Sequence, residues 1–398
     1  MNEPIIRIAA RGDGVTPSGR HVPFGVPGDA LLDDGALAYG PHHQEPPCRH
    51  FPQCGGCQLQ HADDEAYRGY LVSRVQTALA QHELTTEIRE PHLSPPCSRR
   101  RATLRALKVG GGAVLGFNAE KSHRIVDMRE CHILRPELFA LVAPLRQLLG
   151  GLLQPKRAAE VQLTLVDQGA DALLKGVEPR GLEAIEQLTS FANAHRLARL
   201  SIDQGLGPET FFEPQAATIT LSGTPVNFPV GGFLQATEDG EAALVAAVRE
   251  CVGDAARVAD LFAGLGTFAI AVKAAYAAEA SRDAAAALKR AAPAMAVEHR
   301  DLYRRPLDAG ELKRFDAVIL DPPRAGAEAL VRALAGSAVS RIAYVSCNPA
   351  TFARDARALV DGGYDLDWVR PVGQFRWSTH VELAACFSRG AGKSPRAS

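Results

Sequence analysis

The sequence predicts an α/β protein: a C-terminal parallel sheet covered by helices, an α+β middle segment, and a small N-terminal β-barrel. Three observations carry this reading. From residue 240 onward, apolar runs of strand length ("RVADLF", "AYAAE", "AMAVEH", "FDAVILD", "RIAYVSC") are separated by helical stretches, the pattern of parallel strands joined by crossover helices. Residues 136–229 mix helices ("PELFALVAPLRQLLGGLL", "GLEAIEQLTSFANAH") with strands ("EVQLTLVD", "ARLSID", "ATITLSG") without that regular alternation. Residues 1–47 are short apolar runs broken by glycine, which read as short strands and tight turns.

In chain order, the expected units are a reduced barrel over 1–47, a central unit over 48–229, a C-terminal α/β unit over 230–390 and a disordered tail over 391–398. "YGPHHQEPPC" reads as a linker between the first two. A cysteine-rich stretch follows it, then "DDEAYRGYLVSRVQTALAQH", an amphipathic helix, and residues 99–134 alternate as strands do.

Composition is that of a soluble globular protein, with 46% hydrophobic and 22% charged residues. No run approaches the apolar length of a membrane span, and "MNEPIIRIAARGDG" lacks a basic-then-apolar signal layout, so a cytoplasmic protein without membrane contact is expected. A net charge of −1 does not announce a nucleic-acid binder. The cluster "CSRRRATLRALK" does hold Arg99, Arg100, Arg101, Arg105 and Lys108 in a strand-like stretch, which suits either a solvated strand face or phosphate contacts. Eight cysteines in such a chain are expected to be thiols rather than disulfides.

"VADLFAGLGTFAIAV" reads as strand, glycine-rich turn and helix, with Gly264 and Gly266 letting a ligand approach the backbone at the strand's carboxyl end. Glu279 ends the next apolar run, where an acid meets ribose hydroxyls, and Asp301 ends the third, within reach of an adenine edge. The position of a third motif glycine holds Ala269, so this layout leaves a nucleotide cofactor and S-adenosylmethionine both open.

"AVILDPPRAG" places Asp321 at the tip of the fourth strand, before a turn stiffened by Pro322 and Pro323. Arg324 stands where amino-methylating enzymes carry an aromatic residue. One strand later, Cys347 lies between a buried run and Asn348-Pro349, on a strand-to-helix turn that presents a side chain. Cysteine is often only a small buried hydrophobe, but this placement favours a nucleophile. A thiolate adding to carbon 6 of a uracil makes carbon 5 nucleophilic, and a base must later remove the carbon-5 proton. Glu382, opening the final strand, is the candidate base, with His380 as its rival.

"CRHFPQCGGCQLQH" spaces Cys48, Cys54 and Cys57 around a Gly55-Gly56 turn, and Cys131 lies far downstream. Four thiolates suit a [4Fe–4S] cluster or tetrahedral zinc, and spacing does not separate the two.

Together, "CGGCQLQH", "GFNAEKSHRIVD", "GGFLQAT", "DLFAGLGTF", "ILDPPRAG", "VSCNP" and "HVE" occur in the order found in bacterial RNA (uracil-5-)-methyltransferases. The chain resembles most closely the 23S rRNA members that carry an iron–sulfur cluster, over nearly its whole length. The front segment "RGDGV…GRHVPFGVPGD" resembles a TRAM domain, an RNA-binding barrel of OB type. The resemblance implies a Rossmann-like methyltransferase domain and 5-methyluridine formation in 23S rRNA by a monomer. It implies Cys347 as nucleophile and Glu382 as base, with Cys48, Cys54, Cys57 and Cys131 holding a [4Fe–4S] cluster. Gln235, Phe262, Glu279, Asp301 and Asp321 would contact S-adenosylmethionine. Thr267 and Gly373 depart from the family pattern, which often has Asn at the first and an acid at the second. Two other readings are the same chemistry on the T-loop of tRNA, and an inactive iron–sulfur protein that binds RNA.

Overall fold

The computed structural model describes residues 2–390, so the expected tail over 391–398 lies outside the described residues. The N-terminal segment forms two three-stranded sheets of two-residue strands. One joins Glu3–Pro4, Ala30–Leu31 and Leu37–Ala38, and the other Arg7–Ile8, Gly14–Val15 and His21–Val22. Ile5, Val22 and Leu31 fill the small space between them. The strands approach so closely that a Cβ on Gly14 would fall 2.6 Å from the Gly25 carbonyl oxygen. Buried Asp29 ties this barrel-like front to the linker, accepting from the N–H groups of Val26 (2.9 Å) and Gly40 (2.7 Å) and lying 2.8 Å from His43 Nδ1.

The middle of the chain is a six-stranded sheet in the order Gly112–Gly116, Arg101–Val109, Ala158–Val166, Gly169–Lys175, Arg199–Asp203, Pro208–Phe212. Ala102, Leu104 and Ala106 point into its core, while Thr103 and Arg105 point out, the two-residue alternation of a half-buried strand. Helices Val142–Leu152 and Gly181–Ala194 cover the apolar face with Leu145, Leu149, Leu188 and Phe191. The helix expected across 136–153 is broken into Pro136–Phe139 and Val142–Leu152. Pro144 supplies the reason, because its ring lacks an N–H and conflicts with the carbonyl four residues earlier.

The C-terminal sheet runs Ala296–His299, Tyr276–Glu279, Val258–Leu261, Ala317–Leu320, Arg341–Ser346, Glu382–Ser388, Asp365–Gly373. Its first five strands are parallel, and Glu382–Ser388 is inserted antiparallel to both of its neighbours. Two pieces from the 48–229 stretch complete it. Short strands Glu87–Ile88 and His92–Leu93 pair with Asp365–Gly373. Helix Asp64–Ala80, capped by Asp63, packs Tyr67, Tyr70, Leu71 and Val75 into the same core as Leu383 and Phe387. Burying side chains of this size contributes roughly 1.5–3 kcal/mol each. Their hydroxyls also hold the loop before the last strand: Tyr67 donates to the Phe375 carbonyl at 3.0 Å and Tyr70 to the Thr379 carbonyl at 3.0 Å.

The expectation that all eight cysteines are thiols fails at one pair, since Cys251 and Cys386 form a disulfide. Helix Glu238–Val252 lies on strand Glu382–Ser388 with both side chains turned into the interface, 1% and 4% exposed. No helix among the described residues is long and apolar enough to cross a membrane.

Candidate active site

One cavity of about 1350 Å³ opens at the carboxyl ends of the parallel strands, where such sheets bind ligands. Phe262, Gly264, Glu279, Asp301 and Asp321 line its floor, and Gln235, Cys347 and Glu382 line it as well. Gly266 does not line it; with φ at +93°, it lets the turn pass against Leu288. Gly264, at φ +55°, donates its N–H to Glu279 Oε2 at 2.8 Å, and Ser281 donates to Oε1 at 2.6 Å. Glu279 is thus already fixed by two backbone groups while facing the cavity. Asp301 accepts from the N–H groups of Tyr303 (2.9 Å) and Arg304 (3.2 Å), and the Tyr303 and Phe262 rings lie 5.6 Å apart. Asp260, one residue before the end of strand Val258–Leu261, is fully buried; its Oδ2 accepts the Ala269 N–H at 2.7 Å and its Oδ1 has no partner.

Cys347 follows the strand Arg341–Ser346, and Asn348 caps the next helix, Pro349–Asp361, accepting the Ala350 N–H at 3.1 Å. Ser346 pairs with Leu383, so Cys347 and Glu382 lie side by side at the ends of neighbouring strands. The Asn348 amide and the Thr351 hydroxyl each donate to the Arg324 carbonyl at 3.1 Å, which locks the Asp321 turn to the Cys347 turn.

Burial dominates the electrostatics. It pushes the Glu382 carboxyl up to about 8, helped by Asp321, and the Asp321 carboxyl up to about 7, helped by Glu279. Burial, then Glu382 and Asp321, also push the Cys347 thiol up. Acidic side chains crowded at the base of one cavity resist ionising together unless a positive charge joins them. His380 is held down by burial, Arg324 and Arg99, and its Nδ1 lies 3.2 Å from Arg324 Nη2. The imidazole is therefore neutral, with a lone pair turned to the guanidinium.

The four expected cluster cysteines, Cys48, Cys54, Cys57 and Cys131, line one small cavity of about 20 Å³. The turn between them requires glycine: a Cβ on Gly55 would fall 2.8 Å from the Asn118 carbonyl oxygen. Burial raises all four thiols, that of Cys57 up to about 12. As they stand, no group of His, Cys, Asp or Glu among the described residues is arranged to hold a metal ion. Four thiols lining one space are a donor set of the right chemistry for a metal. Gly56 and Phe117 line both this space and the large cavity.

The basic cluster divides. Arg101 lines the large cavity with its guanidinium 4.2 Å from the Phe233 ring centre, and Arg105 pairs with Glu160 at 3.1 Å. Arg100 is buried and unavailable to phosphate: its Nε donates to the Gln235 carbonyl at 3.1 Å and its Nη2 to Glu241 at 2.6 Å. Gln374, which directly follows the departing position Gly373 and to which the sequence assigns no role, is buried between Gln235 and Glu382.

A family model described as tRNA (Uracil-5-)-methyltransferase matches residues 291–389, the stretch holding Asp321, Cys347 and Glu382. The chain is 52% identical over 393 residues to an RNA methyltransferase of Zymomonas mobilis, covering 97% of this chain and 99% of that one. It is 33% identical over 384 residues to the 23S rRNA (uracil(1939)-C(5))-methyltransferase RlmD of Chromohalobacter salexigens, covering 89% of this chain and 78% of that one. The chain belongs to the RNA (uracil-5-)-methyltransferase family. The crystal structure of Pyrococcus abyssi tRNA (uracil-54, C5)-methyltransferase, in complex with S-adenosyl-L-homocysteine, shares the fold. Its TM-score is 0.76 at 22% identity, covering 97% of this chain and 99% of that one. The methyltransferase is thus an S-adenosylmethionine-dependent enzyme.

Proposed function

We propose that the methyltransferase forms 5-methyluridine in 23S rRNA through a covalent bond between Cys347 Sγ and carbon 6 of the target uracil. The observation that carries this reading is the adjacency of Cys347 and Glu382 on neighbouring strand ends, in one cavity with Asp321. Gln235, Phe262, Glu279, Asp301 and Asp321 hold the cofactor, which when bound supplies a positive sulfonium and the methyl group that carbon 5 takes up. A cation in this acidic space favours the ionised thiol. The Sγ–H proton leaves to water in the open cavity. Sγ then adds to carbon 6, and the electron pair of the 5,6 double bond passes to the enolate at oxygen 4. After methylation, Glu382 takes the carbon-5 proton. The freed pair restores the double bond as the bond from Sγ to carbon 6 breaks. The target base must leave its stack to reach this depth.

The 23S rRNA assignment is supported by the relative acting on that RNA, the barrel-like front and the cysteine quartet. It is tested by methyl-transfer assays on unmodified 23S rRNA and on tRNA transcripts. Incorporation into 23S rRNA alone is expected; incorporation into tRNA alone would move the assignment to the T-loop.

The four cysteines are proposed to hold a [4Fe–4S] cluster, supported by their chemistry and their convergence on one space. Protein purified without oxygen should then be brown, with about four irons per chain. Stoichiometric zinc without visible absorbance would refute the cluster and leave the methyl-transfer reading standing.

A further inference from the structure

Gln374 directly follows strand Asp365–Gly373, is 1% exposed, and is hydrogen-bonded at its amide oxygen and through both amide N–H groups. Its Oε1 accepts the Ala236 backbone N–H at 2.8 Å. Its Nε2 donates to Gln235 Oε1 at 2.8 Å and to Glu382 Oε2 at 3.1 Å. The Ala236 N–H can only donate, so it fixes which end of the Gln374 amide is oxygen. The two N–H bonds must then face Gln235 and Glu382.

Two consequences follow from hydrogen-bond polarity. Because Gln235 Oε1 is taken by Gln374, the Gln235 Nε2 is turned to Asp321, 3.4 Å from Oδ2, on the cavity side. Because Glu382 Oε2 faces a donor, a proton on this carboxyl must sit on Oε1.

We infer that Gln374 is a positioning residue for methyl transfer: it orients the Gln235 amide toward Asp321 and reserves Glu382 Oε1 for the proton leaving carbon 5. This rests on the reading of Glu382 as the base. Backbone packing supports a dedicated place for the amide, since a Cβ on Gly240 would fall 2.7 Å from the Gln374 Cβ. Gln374 thereby links the strand that ends at Gly373, the Gln235 loop and the Glu382 strand through one side chain.

The test is the pH dependence of turnover in Gln374→Met, which removes both N–H donors at similar size. Turnover at pH 7.5 should fall at least tenfold, with the protein–RNA adduct accumulating on denaturing gels. The midpoint of the acid limb should rise by about one pH unit, the size expected when a buried carboxylate loses one charge-assisted bond. The KM for S-adenosylmethionine should rise severalfold as Gln235 is freed. Gln374→Glu should move the midpoint further up and serves in place of the Met variant if that one fails to fold. An unmoved midpoint without adduct, with only the melting temperature lowered, would overturn the inference. The Glu382→Gln control separates the two readings. If that variant turns over normally, Glu382 is not the base, and the proton-placing half of the inference falls with it. If Glu382→Gln stalls and Gln374→Met does not shift the midpoint, only the role of Gln374 falls.

Discussion

Replacing Arg100 by Met isolates the one member of the basic cluster that the fold has buried. The Arg100 side chain is 3% exposed and Glu241 beside it 14%. The guanidinium donates to Glu241 at 2.6 Å and to the Gln235 carbonyl at 3.1 Å. Removing one partner of a buried pair strands the other, at about 3–5 kcal/mol. Glu241 keeps some contact with water, and Met refills the space of the aliphatic stem, so the low end, about 3 kcal/mol, is expected. The Glu241 carboxyl is raised by burial and lowered by Arg100. Without Arg100 it rises further, so the deficit should grow as pH increases past the already raised value that Glu241 holds in the wild type, and level off above the still higher value in the variant. Urea unfolding of the wild type, Arg100→Met, Glu241→Gln and the double variant measures this, and the double variant should recover at least half of the loss. RNA affinity, compared at matched folded fraction, should keep its salt dependence. A loss below about 1 kcal/mol, together with a salt slope shallower by about one, would show a phosphate contact and refute the buried-clamp account.

Glu279→Ala should weaken binding of S-adenosylmethionine at least tenfold, since a bond to a charged group contributes on the order of 1.5–3 kcal/mol; unchanged affinity by calorimetry would move the ribose contact elsewhere. Asp260 is pushed up to about 8, chiefly by burial, so it stays protonated in the folded chain where the unfolded chain, at about 3.9, ionises. Its contribution is complete below about pH 4 and lost as pH rises to about 8. Thermal melting of Asp260→Asn should accordingly fall less steeply over that window than that of the wild type, and equal slopes would refute the assignment.

The parallel strands and their motif residues were legible because each of these strands is a short apolar run with a chemically distinctive residue at or just past its carboxyl end: Glu279, Asp321, Cys347. Strand-to-helix turns in such a sheet all open on one edge, so order along the chain already gathers those residues. What the sequence hides is pairing across distance. Helix Asp64–Ala80 reads as amphipathic, yet nothing in it names the far C-terminal strands it packs on. Cys251 and Cys386 meet across a separation of 135 residues. Arg100 and Arg101 are neighbours of one type, and only the strand pleat sends one into the core and the other to the cavity. Gln374 was invisible for the same reason, because its meaning lies in two partners from other segments.

Mass spectrometry of Glu382→Gln mixed with unmodified 23S rRNA and S-adenosylmethionine tests the central claim most directly. Without a base, the reaction should stop after methyl transfer, leaving the RNA covalently bound through Cys347, with the adduct heavier by one methyl group. The double variant Cys347→Ala/Glu382→Gln should give no adduct at all. Normal turnover by Glu382→Gln, or an adduct that survives Cys347→Ala, would contradict the account.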